Sequence, residues 1–190
     1  MQNEELYKKY LAGRHWEQHP IIYAEKFSDF LKEKNFKDLL VDLGCGTGRD
    51  VNVFNQNNLN VLGVDLSDEE IWKANKNFPE LNFSVMDAEN LKLEPKSVGA
   101  FFAINIIHYL DQEKAFAEIN RTLKPNGYLF IHFNLSIIDQ DSLSDYQKPE
   151  EEIIKLFNGF KILEKNTFKR IDYKPFEHTH TILEIIAEKI

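Results

Sequence analysis

A single cysteine, Cys45, stands among the 190 residues, so neither an internal disulfide nor a cysteine-rich metal cage is available. Basic residues are in deficit: 23 lysines and arginines face 31 aspartates and glutamates, a net charge of −8 that disfavours a protein built to neutralise phosphate backbones. Nucleic acid is therefore not an expected partner. Long hydrophobic runs are missing too. The longest apolar stretch, Val98 to Ile107, is broken by Asn105 and falls well short of the roughly 18–20 residues that cross a bilayer, so no membrane span is expected. The opening Met1-Gln2-Asn3-Glu4-Glu5 is acidic where a secretory or mitochondrial leader would be basic. With the lone cysteine, that points to a reducing, cytoplasmic location. What is present is 43% hydrophobic and 13% aromatic content, the make-up of one globular domain over residues 1–190.

Short apolar, β-branched runs alternate with longer amphipathic segments, the pattern of an α/β fold whose parallel sheet is covered by helices on both faces. Strands are expected at Asp38–Leu43, Asn60–Asp65, Leu81–Met86, Val98–Ile104 and Gly127–Asn134. Helices are expected at Asp50–Gln56, at Ser67–Asn77 behind a Ser67/Glu70 capping box, and at Asp111–Leu123 before the turn residues Lys124-Pro125-Asn126-Gly127. Ahead of this core, His19–Lys34 reads as an amphipathic helix placed over the carboxyl end of the sheet, with a further short helix at Glu4–Leu11. Behind it, Leu135–Lys148 carries Asp139, Asp141 and Asp145 and reads as a loop. A helix over Pro149–Asn158 and two closing strands, Phe160–Arg170 and Thr179–Glu188, complete the chain.

The densest chemistry lies in Val41-Asp42-Leu43-Gly44-Cys45-Gly46-Thr47-Gly48-Arg49-Asp50: a buried strand, an acid near its end, three alternating glycines and then a helix. Glycine there permits positive φ and close approach of a ligand to the backbone. A dinucleotide fingerprint needs its third glycine at the sixth position of the motif, which here is Arg49, and no Gly-Lys-Ser/Thr follows to make a phosphate loop. A second acid, Asp65, ends the next strand 17 residues after Gly48, where a carboxylate can accept two hydrogen bonds from a ribose diol or cap the following helix. A third, Asp87, ends the third strand in Val85-Met86-Asp87-Ala88-Glu89.

Taken together, these stretches resemble the class I S-adenosylmethionine-dependent methyltransferases. The resemblance extends through Asn105-Ile106-Ile107-His108-Tyr109 and through Leu123-Lys124-Pro125-Asn126-Gly127, where Asn126 replaces a glycine and tolerates the same left-handed turn. It covers Leu39–Asn134 and implies a Rossmann-like seven-stranded sheet, six strands parallel and one antiparallel. It also implies S-adenosyl-L-methionine as cofactor, a small-molecule methyl acceptor, and a monomer or homodimer. Within the domain, residues 1–35 become a helical lid, 36–134 the cofactor-binding core and 135–190 the acceptor side. The resemblance places Asp42, Gly44, Cys45, Gly46 and Gly48 under the methionine part of the cofactor, with Asp42 near its ammonium group. Asp65 falls at the ribose, Asp87 and Ala88 at the adenine, and Asn105 at the border of cofactor and acceptor, with Leu66 also counted as cofactor-binding. The continuation Gly48-Arg49-Asp50 and the lack of an added domain look most like small-molecule members, including those related to tellurite-resistance and thiol methyltransferases. Members that methylate nucleobase amines usually carry two prolines after the asparagine, and Ile106 and Ile107 stand there instead.

His108 and Asn105 are the candidate catalytic residues. His108 is either a general base or acceptor contact, or a packing histidine. Arg14, within the cluster Tyr7, Tyr10, Arg14 and Trp16, is placed to pair with the cofactor carboxylate if the leading segment folds over the site. His15 and His19, followed at once by Pro20, make no zinc-protease motif. His178 and His180 share one face of the last strand, as a metal pair, as pocket residues or as an ordinary strand end. No metal is expected. A nicotinamide-dependent oxidoreductase and a non-catalytic cofactor-binding protein are the competing functions.

Overall fold

The computed structural model describes residues 22–139, 143–172 and 177–190, the side chains of 139 and 143–146 excepted. Its strands are β1 (Leu39–Leu43), β2 (Asn60–Asp65), β3 (Asn82–Val85), β4 (Val98–Ile104), β5 (Leu123–Asp139), β6 (Leu143–Gln147), β7 (Phe160–Asp172) and β8 (His178–Lys189). Its helices are α1 (Ile22–Glu33), α2 (Arg49–Gln56), α3 (Asp68–Asn77), α4 (Gln112–Thr122) and α5 (Glu150–Lys155). The main sheet runs β3-β2-β1-β4-β5-β8-β7. Strands β1 to β5 are mutually parallel, and β8 is antiparallel to both β5 and β7, so six strands point one way and one the other. The reversal of order at β1 and β4 opens a crevice at their carboxyl ends, the place where open α/β sheets bind ligands.

Alternation along the central strands splits the core in two. Phe101 faces a layer with Val41, Leu129, Ile131, Phe116 and Ile119, covered by α4. Phe102 faces the opposite layer with Leu40, Phe54, Phe130 and Phe27, covered by α1 and α2. Caps set where the covering helices begin. The Ser67 side chain accepts from the Glu70 N–H at 3.2 Å, and the Asp111 side chain accepts from the Lys114 N–H at 3.3 Å. The loop between β3 and β4 is fastened to α4 by Arg121, whose guanidinium donates to the carbonyls of Leu91 and Leu93, each at 2.9 Å. Glu118 adds to this by accepting from the Leu91 N–H.

Four expectations change. The segment Leu135–Lys148 is no loop: β5 continues to Asp139, with Leu135 and Ile137 buried, and Leu143–Gln147 returns beside it as an antiparallel eighth strand off the main path. Its acids masked an alternation that pairs with β8. The turn Lys124–Gly127 is absorbed into β5 as an irregularity, Val98 pairing with Leu123 and Ala100 with Tyr128, and Asn126 takes the left-handed φ of 59°. Helix α1 lies on the face of the sheet and not over its carboxyl end, because Phe27 packs at 5.9 Å on Phe102 and 5.3 Å on Phe130 in mid-strand. Helix α5 stops at Lys155, short of the expected Asn158. The short helix at Glu4–Leu11, Arg14, His15 and His19 lie outside the described residues.

Candidate functional site

The loop from β1 to α2 is shaped by its glycines, all three of which have positive φ: 76° at Gly44, 51° at Gly46 and 86° at Gly48. They are not equivalent. A Cβ on Gly44 would come within 2.9 Å of Ile106, and one on Gly48 within 2.6 Å of the Phe83 ring, so these two let the loop pack against the protein. A Cβ on Gly46 would meet no atom of the described residues within 4 Å; among them its Cα faces open space at the carboxyl end of the sheet. The loop hangs from β2, with Gly44 and Cys45 N–H groups donating to the Val64 carbonyl at 2.8 and 3.0 Å.

Acids line the loop. Asp42 is only 4% exposed, and its Oδ2 has no hydrogen-bond partner among the described residues. Burial pushes its pKa well above the carboxylate range, the nearby Asp50 and Asp65 adding to the effect and Arg49 opposing it. Arg49 itself holds Asp50 through two hydrogen bonds of 3.0 Å. The Asp65 carboxylate accepts from Gly46 N–H and Ser67 N–H, both at 2.9 Å, so the acid ending β2 ties the glycine loop to the start of α3. Burial raises its pKa while these backbone bonds lower it. Leu66 beside it is 53% exposed, an apolar surface bordering the crevice. Cys45 is part-buried, and burial, with Asp42 and Asp65 close by, pushes its thiol far up, which keeps it protonated. Asp87 is exposed and accepts from the Glu89 N–H at 2.8 Å, while Ala88 is buried.

Asn105, just past β4, takes a left-handed φ of 55° and donates its N–H to the His132 carbonyl at 3.1 Å. A 3-10 turn over Ile107–Tyr109 then carries His108 inward until it is 1% exposed, against Tyr109 and the edge of Phe133. Burial, with a smaller contribution from His180, pushes the pKa of His108 down to about 3. The ring is therefore neutral at physiological pH.

A polar chain missed by sequence reading leads away from this point. Asn134, mid-way along β5, places its Nδ2 at 3.3 Å from both Asn105 Oδ1 and His108 Nε2. Its Oδ1 lies 3.0 Å from His180 Nδ1. His180 Nε2 in turn lies 3.2 Å from Asp172 Oδ2, and Arg170 grips the same carboxylate with bonds of 3.0 and 2.9 Å. Burial opposes ionisation of Asp172, but His180 and Arg170 outweigh it and hold the carboxyl well below its usual range. The structure thus joins Asn105 to His180, which are 75 residues apart in the sequence, through one asparagine.

Residues 41–131 match the family model described as a methyltransferase domain. In sequence, the chain is 31% identical over 104 residues to the ubiquinone/menaquinone biosynthesis C-methyltransferase of Campylobacter jejuni, a match covering 50% of this chain and 44% of that protein. The chain thus spans under half the length of that curated relative. In structure, it is similar to a SAM-dependent methyltransferase from Methanosarcina mazei, with a TM-score of 0.70 and 18% identity over 81% of this chain and 93% of that one. TehB from Haemophilus influenzae superposes with a TM-score of 0.71 and 16% identity, over 85% of this chain and 60% of that one. Residues 41–131 thus match a methyltransferase domain, and the chain shares the fold of SAM-dependent methyltransferases. The resemblance carried by the glycine loop is borne out. Among the described residues no helix is long and apolar enough to cross a membrane.

Proposed function

We propose that this protein transfers the methyl group of S-adenosyl-L-methionine to a small-molecule acceptor by in-line displacement. The observation that carries the reading is the pairing, among the described residues, of a buried Asp42 oxygen without a partner and the open space over Gly46. A buried carboxylate without a partner is costly, and an ammonium group delivered by a ligand removes that cost. The donor set therefore fits the methionine end of the cofactor. When bound, the cofactor supplies an electrophilic methyl group on a sulfonium.

The remaining work falls to the chain. Asp42 holds the ammonium end. Gly46 leaves room for the ligand. Asp65 would hold the ribose, Leu66 would offer the cofactor an apolar surface, and Asp87 with the Ala88 N–H would hold the adenine. Arg14 of the leading segment pairs with the ligand carboxylate. Positioning then dominates over acid-base chemistry. His108, neutral and with Nε2 turned to Asn134, is a positioning residue that fixes the Asn105 turn, and Asn105 borders the acceptor. We read 36–134 as the cofactor-binding core and 135–190 as the acceptor side of one domain, with α1 packed on the face of the sheet. It works in a reducing cytoplasm as a monomer or homodimer.

The test is release of S-adenosylhomocysteine from S-adenosylmethionine in the presence of a panel of small O-, N-, S- and C-nucleophiles. Acceptor-dependent release that Gly46→Arg abolishes supports the proposal. Tight cofactor binding with no release across the panel would make the protein a binding module instead.

A further inference from the structure

The acceptor side holds a group of side chains that the methyltransferase core does not use. His178 and His180, at alternate positions of β8, point to one side of the sheet. Across the antiparallel pair, Asp172 is the register partner of His178 and Arg170 that of His180. The ligand atoms of Asp172, His178 and His180 all lie within 4.8 Å of one another. The two histidines are 3% and 2% exposed.

Hydrogen-bond accounting fixes what they face. The Asn134 amide nitrogen serves Asn105 Oδ1 and His108 Nε2, so its Oδ1 must accept, and His180 Nδ1 must carry the proton. Nε2 of His180 then lies 3.2 Å from Asp172 Oδ2, where the lone pairs of both atoms can share one positive centre. An electrophile belongs between them. A proton would serve that one line only, whereas His178 Nε2 also approaches the same oxygen, at 3.9 Å. A cation serves all three. Two ligand atoms each about 2.1 Å from one ion stand roughly 3.0–4.2 Å apart, which brackets these two separations, and the two histidine nitrogens, within 4.8 Å of each other, need to close by only a few tenths of an ångström. The Nδ1–H to amide bond on His180 and the Arg170 grip on Asp172 are the supporting contacts that orient metal ligands.

We infer that Asp172, His178 and His180 bind one divalent transition-metal ion of the zinc class on the β7–β8 pair, beside Asn134. Two imidazoles and one carboxylate select such ions over magnesium or calcium and leave coordination positions open. The ion and Arg170 together outweigh the single negative charge of Asp172, so the open positions favour an anionic ligand. If the methyltransferase reading holds, that ligand is the acceptor, a hydroxyl or thiol whose proton passes to water as it coordinates. The chain Asp172–His180–Asn134–Asn105 links the ion to the end of β4.

The test uses the tag-free 190-residue chain, stripped with a chelator and dialysed. It is titrated with Co2+, read by visible absorption, and then with Zn2+ as competitor, with bound metal counted by elemental analysis. One equivalent of Co2+ per chain, displaced by one of Zn2+, is expected. His178→Gln and His180→Ala should each weaken uptake about 100-fold, and Asp172→Asn at least about tenfold. S-adenosylhomocysteine binding serves as the folding control for each variant. Uptake well below one equivalent by the wild-type chain, or uptake unchanged in all three folded variants, would overturn the metal site. Wild-type chain that takes up cobalt but fails to bind S-adenosylhomocysteine would overturn the cofactor reading and leave the metal site standing.

Discussion

Asp42 concentrates the tension of the site in one side chain. Its folded pKa lies above the unfolded value, so as pH rises past about 4 the unfolded chain ionises first and folding loses stability until the folded group ionises too. Asp42→Asn removes that penalty. In the ligand-free protein at pH 7 it should raise Tm by about 2–4 °C, roughly 1 kcal/mol, and the gain should vanish below pH 4. Thermal scans across pH check this, and the same variant should bind cofactor at least about tenfold more weakly. The glycines separate in the same way. Gly48→Ala combines a positive φ with a collision on Phe83 and should cost about 2–3 kcal/mol in urea unfolding, whereas Gly46→Ala carries only the backbone strain, about 1 kcal/mol. These acids and glycines were legible in sequence because each is fixed by local chain geometry at a strand end. His108 was legible as a position but not as a state. Only the packing around it shows that its ring is neutral and turned to Asn134.

Among elements, α1 and the β5–β8 pairing decide what the site can be. Helix α1 was found from its periodicity, but its place was not, since the rings it meets, Phe102 and Phe130, come from strands about 75 and 103 residues beyond Phe27. Phe27→Ala leaves a cavity between three rings and should cost about 3–5 kcal/mol, measured by urea denaturation with m unchanged. The extension of β5 escaped notice because the acids of Leu135–Lys148 give that stretch the composition of a loop. The cluster of Asp172, His178 and His180 escaped for a different reason. His178 and His180 were visible as a pair, but their carboxylate partner depends on the register between β7 and β8, which no local pattern encodes. Asn134, in mid-strand, joins the two halves only once β5 and β8 are paired.

At the scale of the whole molecule, the fold places three acid-tipped parallel strands on one side of the crevice and a polar, histidine-rich antiparallel pair on the other. The first half is shared with the methyltransferase relatives. The second half lies beyond the matched residues 41–131. Cofactor at about 100 times its dissociation constant adds roughly 2.7 kcal/mol to stability, which for a chain of this size is a Tm rise of about 5–10 °C. The most direct measurement is calorimetric titration of the wild-type chain and Gly46→Arg with S-adenosylhomocysteine and with NAD. Binding of S-adenosylhomocysteine at one site per chain, lost by at least about 100-fold in Gly46→Arg, with no heat from NAD, is the predicted result. Binding of NAD without S-adenosylhomocysteine would contradict the account at the glycine loop on which the rest is built.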